Sequence, residues 1–129
     1  MDVPKKATLG VAQRLRSQQH FRAVYARGRR AGGQWLTVVL LPRRPSPIAG
    51  PRLGVSVSKD HGGAVRRNKL KRLLREAFRL ENARLPQQAD LVLIPRVRTD
   101  DFPLAELRSE LVQLAQRALH KGDERRRRP

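Results

Sequence analysis

A chain of 129 residues with 29 Lys and Arg against 11 Asp and Glu carries a formal charge of +18, and it contains no cysteine. The length suits one domain with a real core, while the missing cysteines exclude disulfides and thiolate metal sites and suit a reducing compartment. So large an excess of positive charge excludes indifference to polyanions: nucleic acid leads and an anionic membrane surface trails.

Arg outnumbers Lys, which favours bidentate contact with phosphates and stacking on bases. No apolar run is long enough to span a bilayer. None follows Lys5 and Lys6 either, so no secretory signal is expected and the chain reads as cytoplasmic.

Residues 1–15 are polar and basic and read as a flexible N-terminal arm, followed by a single domain over 16–121. Ser17 can cap a short helix to about Arg27, ended by Gly28. On it Phe21, Val24 and Tyr25 share a face by their spacing. Two explanations of the rings stand side by side: both fill the core, or they edge a cleft where unpaired bases stack. Gly32-Gly33 breaks the chain before a buried strand over Trp35 to Leu41. Pro42 to Pro51 holds four prolines and a glycine and reads as a loop.

A second strand spans Leu53 to Val57. It has Leu53, Val55 and Val57 on one face and the small residues Gly54, Ser56 and Ser58 on the other. A floor of small side chains lets another surface approach closely. Lys59 to Gly63 forms a turn, and Gly62-Gly63 before a helix can offer backbone N–H groups to a phosphate. A further strand covers Leu91 to Ile94. The last helix, capped by Asp100 or Asp101 with Pro103 in its first turn, has an apolar stripe of Leu104, Leu107, Leu111, Leu114, Ala115 and Ala118. Gly122 is expected to end it, leaving 122–129 as a disordered basic tail. The order helix, strand, strand, helix, strand, helix predicts an α+β fold, a small sandwich with helices packed on a central sheet.

The helix from Ala64 to about Arg84 is the most informative stretch. At about 100° per residue, Leu70, Leu73, Leu74, Ala77 and Phe78 fall on one side. Asn68, Arg72, Arg75 and Arg79 form a stripe opposite, flanked by Lys69 and Lys71. From Arg66 to Arg79 there are seven basic residues and one acid, Glu76. A merely solvated helix gains from mixed signs at i,i+4. One of a single sign repels itself unless a polyanion lies against it.

Protein-borne catalysis finds little support. His20, His61 and His120 show no metal-ligand spacing, and Asp60, Asp90, Asp100 and Asp101 each have an ordinary place as turn or cap residues.

Three segments carry a resemblance to a known family. They are Phe21-Arg22-Ala23-Val24-Tyr25-Ala26-Arg27-Gly28, Leu53-Gly54-Val55-Ser56-Val57-Ser58-Lys59, and the run from Gly63 to Arg79 centred on Arg67-Asn68-x-x-Lys71-Arg72-x-x-Arg75. Together they closely resemble the bacterial ribonuclease P protein component, over roughly Phe21 to Leu119.

The resemblance implies a small basic subunit paired with a large catalytic RNA. That RNA hydrolyses the 5′ leader from precursor tRNA with Mg²⁺ bound mainly in the RNA and none held tightly by the protein. It implies a left-handed β-α-β crossover, against the general rule. It also implies an RNA-facing set of Arg66, Arg67, Asn68, Lys69, Lys71, Arg72, Arg75 and Arg79. The single-stranded leader is expected in a cleft with Phe21, Tyr25, Ser56 and Lys59.

The chain departs from the pattern in places. Asp60-His61 interrupts a turn that is often lysine-rich, and Thr37-Val38-Val39 stands where relatives often place a further cleft aromatic, so stacking is either weaker or shifted to Trp35. The proline-rich loop and arginine tail have no assigned role. From composition alone, a structural RNA-binding protein such as a ribosomal protein or RNA chaperone accounts for +18 equally well.

Overall fold

The computed structural model describes residues 18–44, 50–99 and 101–127. The expected arm over 1–15, the Ser17 cap, the Asp100 alternative and the middle of the proline-rich loop lie outside them. The elements follow in order as α1 (Gln18–Arg27), β1 (Arg29–Gly32), β2 (Leu36–Pro42), β3 (Arg52–Val55), α2 (Ala64–Glu81), β4 (Ala89–Pro95) and α3 (Leu104–Arg127), with 3-10 turns at Lys59–His61 and Asn82–Arg84. The sheet order is β1-β2-β4-β3. The β1–β2 and β2–β4 pairs are antiparallel, and β3–β4 is parallel. A parallel pair needs a long crossover, and α2 supplies it.

Alternation along the strands divides the core. Leu36, Val38 and Leu40 of β2, Leu91 and Leu93 of β4, and Leu53 of β3 join one cluster with Leu70, Leu74, Ala77 and Phe78 of α2 and Leu107, Leu111 and Leu114 of α3. On the other face Val39 and Val92 meet Val24 of α1, with Phe21, Tyr25, Leu41 and Ile94 packed around them. The result is a three-layer arrangement: α1, then the sheet, then α2 and α3 side by side. The α+β sandwich read from the sequence is the fold observed.

Two buried carboxylates tie neighbouring elements within a layer. Glu81, 4% exposed, accepts from Arg108 Nε at 2.7 Å and so ties α2 to α3. Asp90, 5% exposed, accepts from Arg52 Nε and Nη2, both at 2.8 Å, and from Arg43 Nη1 at 3.2 Å. These bonds raise the Arg52 pKa, the side-chain hydrogen bond to Asp90 being the main cause.

Several boundaries differ from expectation. The sheet has a fourth strand, β1, whose residues the sequence reading left in the break before Trp35. It is short, rich in Arg and buries only Ala31, so no apolar alternation announces it. Pro42 belongs to β2 as its last residue, where a missing N–H interrupts no further ladder bond of the strand. α2 gives way at Glu81 to a 3-10 turn. The first helical bond of α3 runs from the Leu107 N–H to the Pro103 carbonyl at 2.9 Å, which puts Pro103 just before the helix. Gly122 does not end α3, which continues to Arg127; 122–127 is therefore helical and not a disordered tail.

Candidate nucleic-acid interface

α2 owes its position to its apolar side. Leu70, Leu74, Ala77 and Phe78 are buried against β3 and α3, which turns the opposite side outward. Gly62, at φ +112°, makes the turn into the helix in a region that favours glycine. Gly63 then caps it in extended conformation with no side-chain cap bond.

None of the expected RNA-facing side chains is buried. Arg66, Asn68, Lys69 and Arg72 are exposed, and Arg67, Lys71, Arg75 and Arg79 are half-buried. All eight thus reach the surface of α2, but not on one face: the four in succession from Arg66 to Lys69 wrap most of the way round the helix, and Arg66, Lys69 and Arg72 line one flank. They are not equivalent, however. Arg79 donates to Glu76 through Nε at 3.1 Å and through Nη2, so its charge is answered within the helix. The same hydrogen bonds hold the Glu76 carboxyl below its ordinary pKa and raise that of Arg79. Arg67 Nε is shielded from solvent and has no hydrogen-bond partner among the described residues. A donor in that state gains most from an acceptor brought to it.

On the other side of the sheet, α1 packs over β2 and β4. Phe21 and Tyr25 are half-buried, so each ring both packs on the Val24–Val39–Val92 cluster and presents part of itself to solvent. The two explanations of these rings are therefore not exclusive. The Arg30 guanidinium lies 5.6 Å from the Tyr25 ring centroid, a cation–π contact that the missed strand β1 provides. Toward β3 the floor is small, with Gly54 opposite Val92. Ser56 extends the ladder through its N–H to the Leu93 carbonyl at 3.0 Å and by alternation shares the face of Gly54. Lys59 is exposed in the turn that follows.

Trp35 does not take the place of a cleft aromatic. It packs on the α2–α3 side of the sheet, its ring 5.8 Å from that of Phe102 at 60°. The residue directly before Leu36 falls outside the alternation that would aim it at α1. The acids are also dispersed. Asp90 is consumed by Arg52 and Arg43, and Asp60 stands 3.3 Å from Arg98. Among the described residues no three His, Asp or Glu come together as metal ligands, and no helix is long and apolar enough to cross a membrane.

Comparison with known proteins bears on the same surfaces. The ribonuclease P family model matches residues 9–119. The chain is 36% identical over 107 residues to the ribonuclease P protein component of Syntrophus aciditrophicus, covering 83% of this chain and 87% of that one. It is 40% identical over 106 residues to that of Desulfovibrio desulfuricans, covering 81% of each. Among solved structures it resembles the RNase P protein from Thermotoga maritima at a TM-score of 0.69 and 30% identity, over 81% of this chain and 96% of that one. The RNase P protein of Staphylococcus aureus matches at a TM-score of 0.66 and 28% identity, over 82% and 94%. These likenesses lend nothing to the ribosomal or chaperone alternative. By sequence, fold and the motif on α2, the chain belongs to the ribonuclease P protein-component family.

Proposed function

We propose that this chain, as the protein component of the endoribonuclease ribonuclease P, leaves hydrolysis to the RNA subunit and supplies two binding surfaces for it. α2 neutralises clustered phosphates of the catalytic RNA through Arg66, Arg67, Lys69, Lys71, Arg72 and Arg75, with Asn68 adding an uncharged amide donor. Lowered repulsion then lets the RNA accept a second polyanion, the precursor tRNA. The single-stranded 5′ leader lies along the α1 face, with Phe21 and Tyr25 offering stacking and Ser56 and Lys59 polar contacts.

The observation that carries this reading is the side of α2 turned away from the core, whose one acid is already paired with Arg79. Mg²⁺ in this reading is held by the RNA. The described protein residues offer no cluster of three His, Asp or Glu to hold it.

A cleavage assay on precursor tRNA tests the division of labour: protein alone, RNA subunit alone, and both together at low Mg²⁺. Cleavage is expected from the combination, with none from protein alone. Activity from the protein by itself overturns the reading.

A further inference from the structure

A groove of about 1250 Å³ separates the N-terminal half of α2 from the loop leading into α3. Its floor is apolar, built from Trp35, Leu70, Leu73 and Phe102. Trp35 is held firmly there. Its ring lies against Phe102, its N–H donates to Glu110 Oε1 at 2.7 Å, and its carbonyl accepts from the Arg96 N–H at 2.8 Å.

The walls differ in sign. Arg66, Lys69 and Arg72 rise along α2 at three-residue spacing, followed by Glu76, which is bonded to Arg79, while Asp101 and, in the first turn of α3, Glu106 line the other side. Glu106 is exposed and forms no hydrogen bond or ion pair with the described residues. Val65, 84% exposed, adds an apolar lip.

Each part narrows the occupant. An acidic peptide or bare phosphate finds the cations but meets Glu106 and wastes the aromatic floor. A purely apolar segment leaves Lys69, Arg72 and the Glu106 carboxylate unanswered. A nucleotide in a single strand presents a π-face, a phosphate and ring donors together. Among the bases, guanine alone sets two adjacent donors, N1–H and N2–H, on its Watson–Crick edge, matching the two oxygens of a carboxylate, which only accepts. Uracil would turn two carbonyls toward the same group.

We propose that this groove receives one unpaired guanine nucleotide of the RNA partner. The base stacks on Trp35, Glu106 takes its N1–H and N2–H, and its phosphates lie on Lys69 and Arg72. The proposal rests on the RNA-binding reading above and extends the α2 surface from phosphate contact to base recognition.

Trp35 is the chain's one tryptophan, so its fluorescence reports this groove and not the α1 face. The full chain is titrated with the single-stranded pentamers UUGUU, UUAUU, UUCUU and UUUUU. Total binding is read from the anisotropy of a label on the RNA and groove occupancy from Trp35 quenching. Saturable quenching is expected with UUGUU at an affinity about tenfold above the other three, the discrimination one bidentate contact supplies. Glu106→Gln, at an exposed site, should erase that preference while Lys69→Ala weakens all four alike.

Binding by anisotropy with an unmoved Trp35 signal overturns the groove proposal and leaves the RNA-binding reading standing. Quenching that ignores the base, or survives Glu106→Gln unchanged, also overturns it. No binding to any pentamer or to the RNA subunit removes both.

Discussion

Glu110 Oε1 accepts the backbone N–H of Trp35 at 2.7 Å and that of Leu36 at 2.6 Å, while Oε2 takes Gln34 at 3.0 Å. One carboxylate of α3 thus gathers three successive donors at the β1–β2 turn. The approach needs Gly33, where a Cβ would stand 2.5 Å from the Glu110 carboxyl carbon. Hydrogen bonds to a charged acceptor are the stronger kind. Glu110→Gln, with a single accepting oxygen, should cost about 2 kcal/mol, seen as a lower urea midpoint at unchanged slope. Gly33→Ala should destabilise through the same contact.

Arg72 and Arg79 separate by their partners. Arg72→Ala should flatten the log–log salt dependence of RNA binding by about one unit, as loss of one phosphate contact does. Arg79→Ala should change it less, because Glu76 already answers that charge. Filter binding across a salt series measures both slopes. Equal slopes for the wild type and Arg72→Ala would remove Arg72 from the interface.

Acid should release the same pair. Glu76 has a folded pKa depressed chiefly by its hydrogen bond from Arg79. Its contribution to stability is present above the unfolded carboxyl value of about 4.3 and is lost as pH falls through the lower folded value. A titration of the Glu76 carboxyl carbon by NMR should give a midpoint below that of a free glutamate. Arg79→Ala should return the midpoint to the ordinary range.

Phe21→Ala should lessen the preference for leader-bearing over mature tRNA, since a stacked base contributes about 1–3 kcal/mol. The ratio of the two dissociation constants is the readout. Urea unfolding of the same variant reports the packing share, because Phe21 also touches the Val24 cluster. Equal loss for both tRNAs confines the ring to the core.

The long amphipathic helix and the buried strands were legible in the sequence because their periodicity is strong. Leu70, Leu74 and Phe78 repeat at helical spacing, and Leu91 and Leu93 fall in one apolar run. β1 was not legible: Arg29-Arg30-Ala31-Gly32 has neither β-branched residues nor a hydrophobic pattern, and its pairing with β2 is a matter of tertiary context. The cations of α2 were legible as a set, but not that Glu76 claims Arg79. Whether Trp35 joins the cleft was left open by the sequence, because the answer turns on the strand beginning one residue later, at Leu36, which frees Trp35 from the alternation. The groove it floors joins residues about 30 to 70 positions apart, and no local pattern carries such a juxtaposition.

β3 is shared by two surfaces. Leu53 and Val55 sit beneath α2, while the back of the same strand, at Gly54, is bare of side chain. Two nucleic-acid strands held at once would be separated by one helix and one sheet, on the order of 20 Å. That distance is a property of rigid layers, not of flexible side chains, so the protein would act as a gauge block. It would fix how near a second strand can come, and a change in strand packing would alter the gap without touching a single RNA contact.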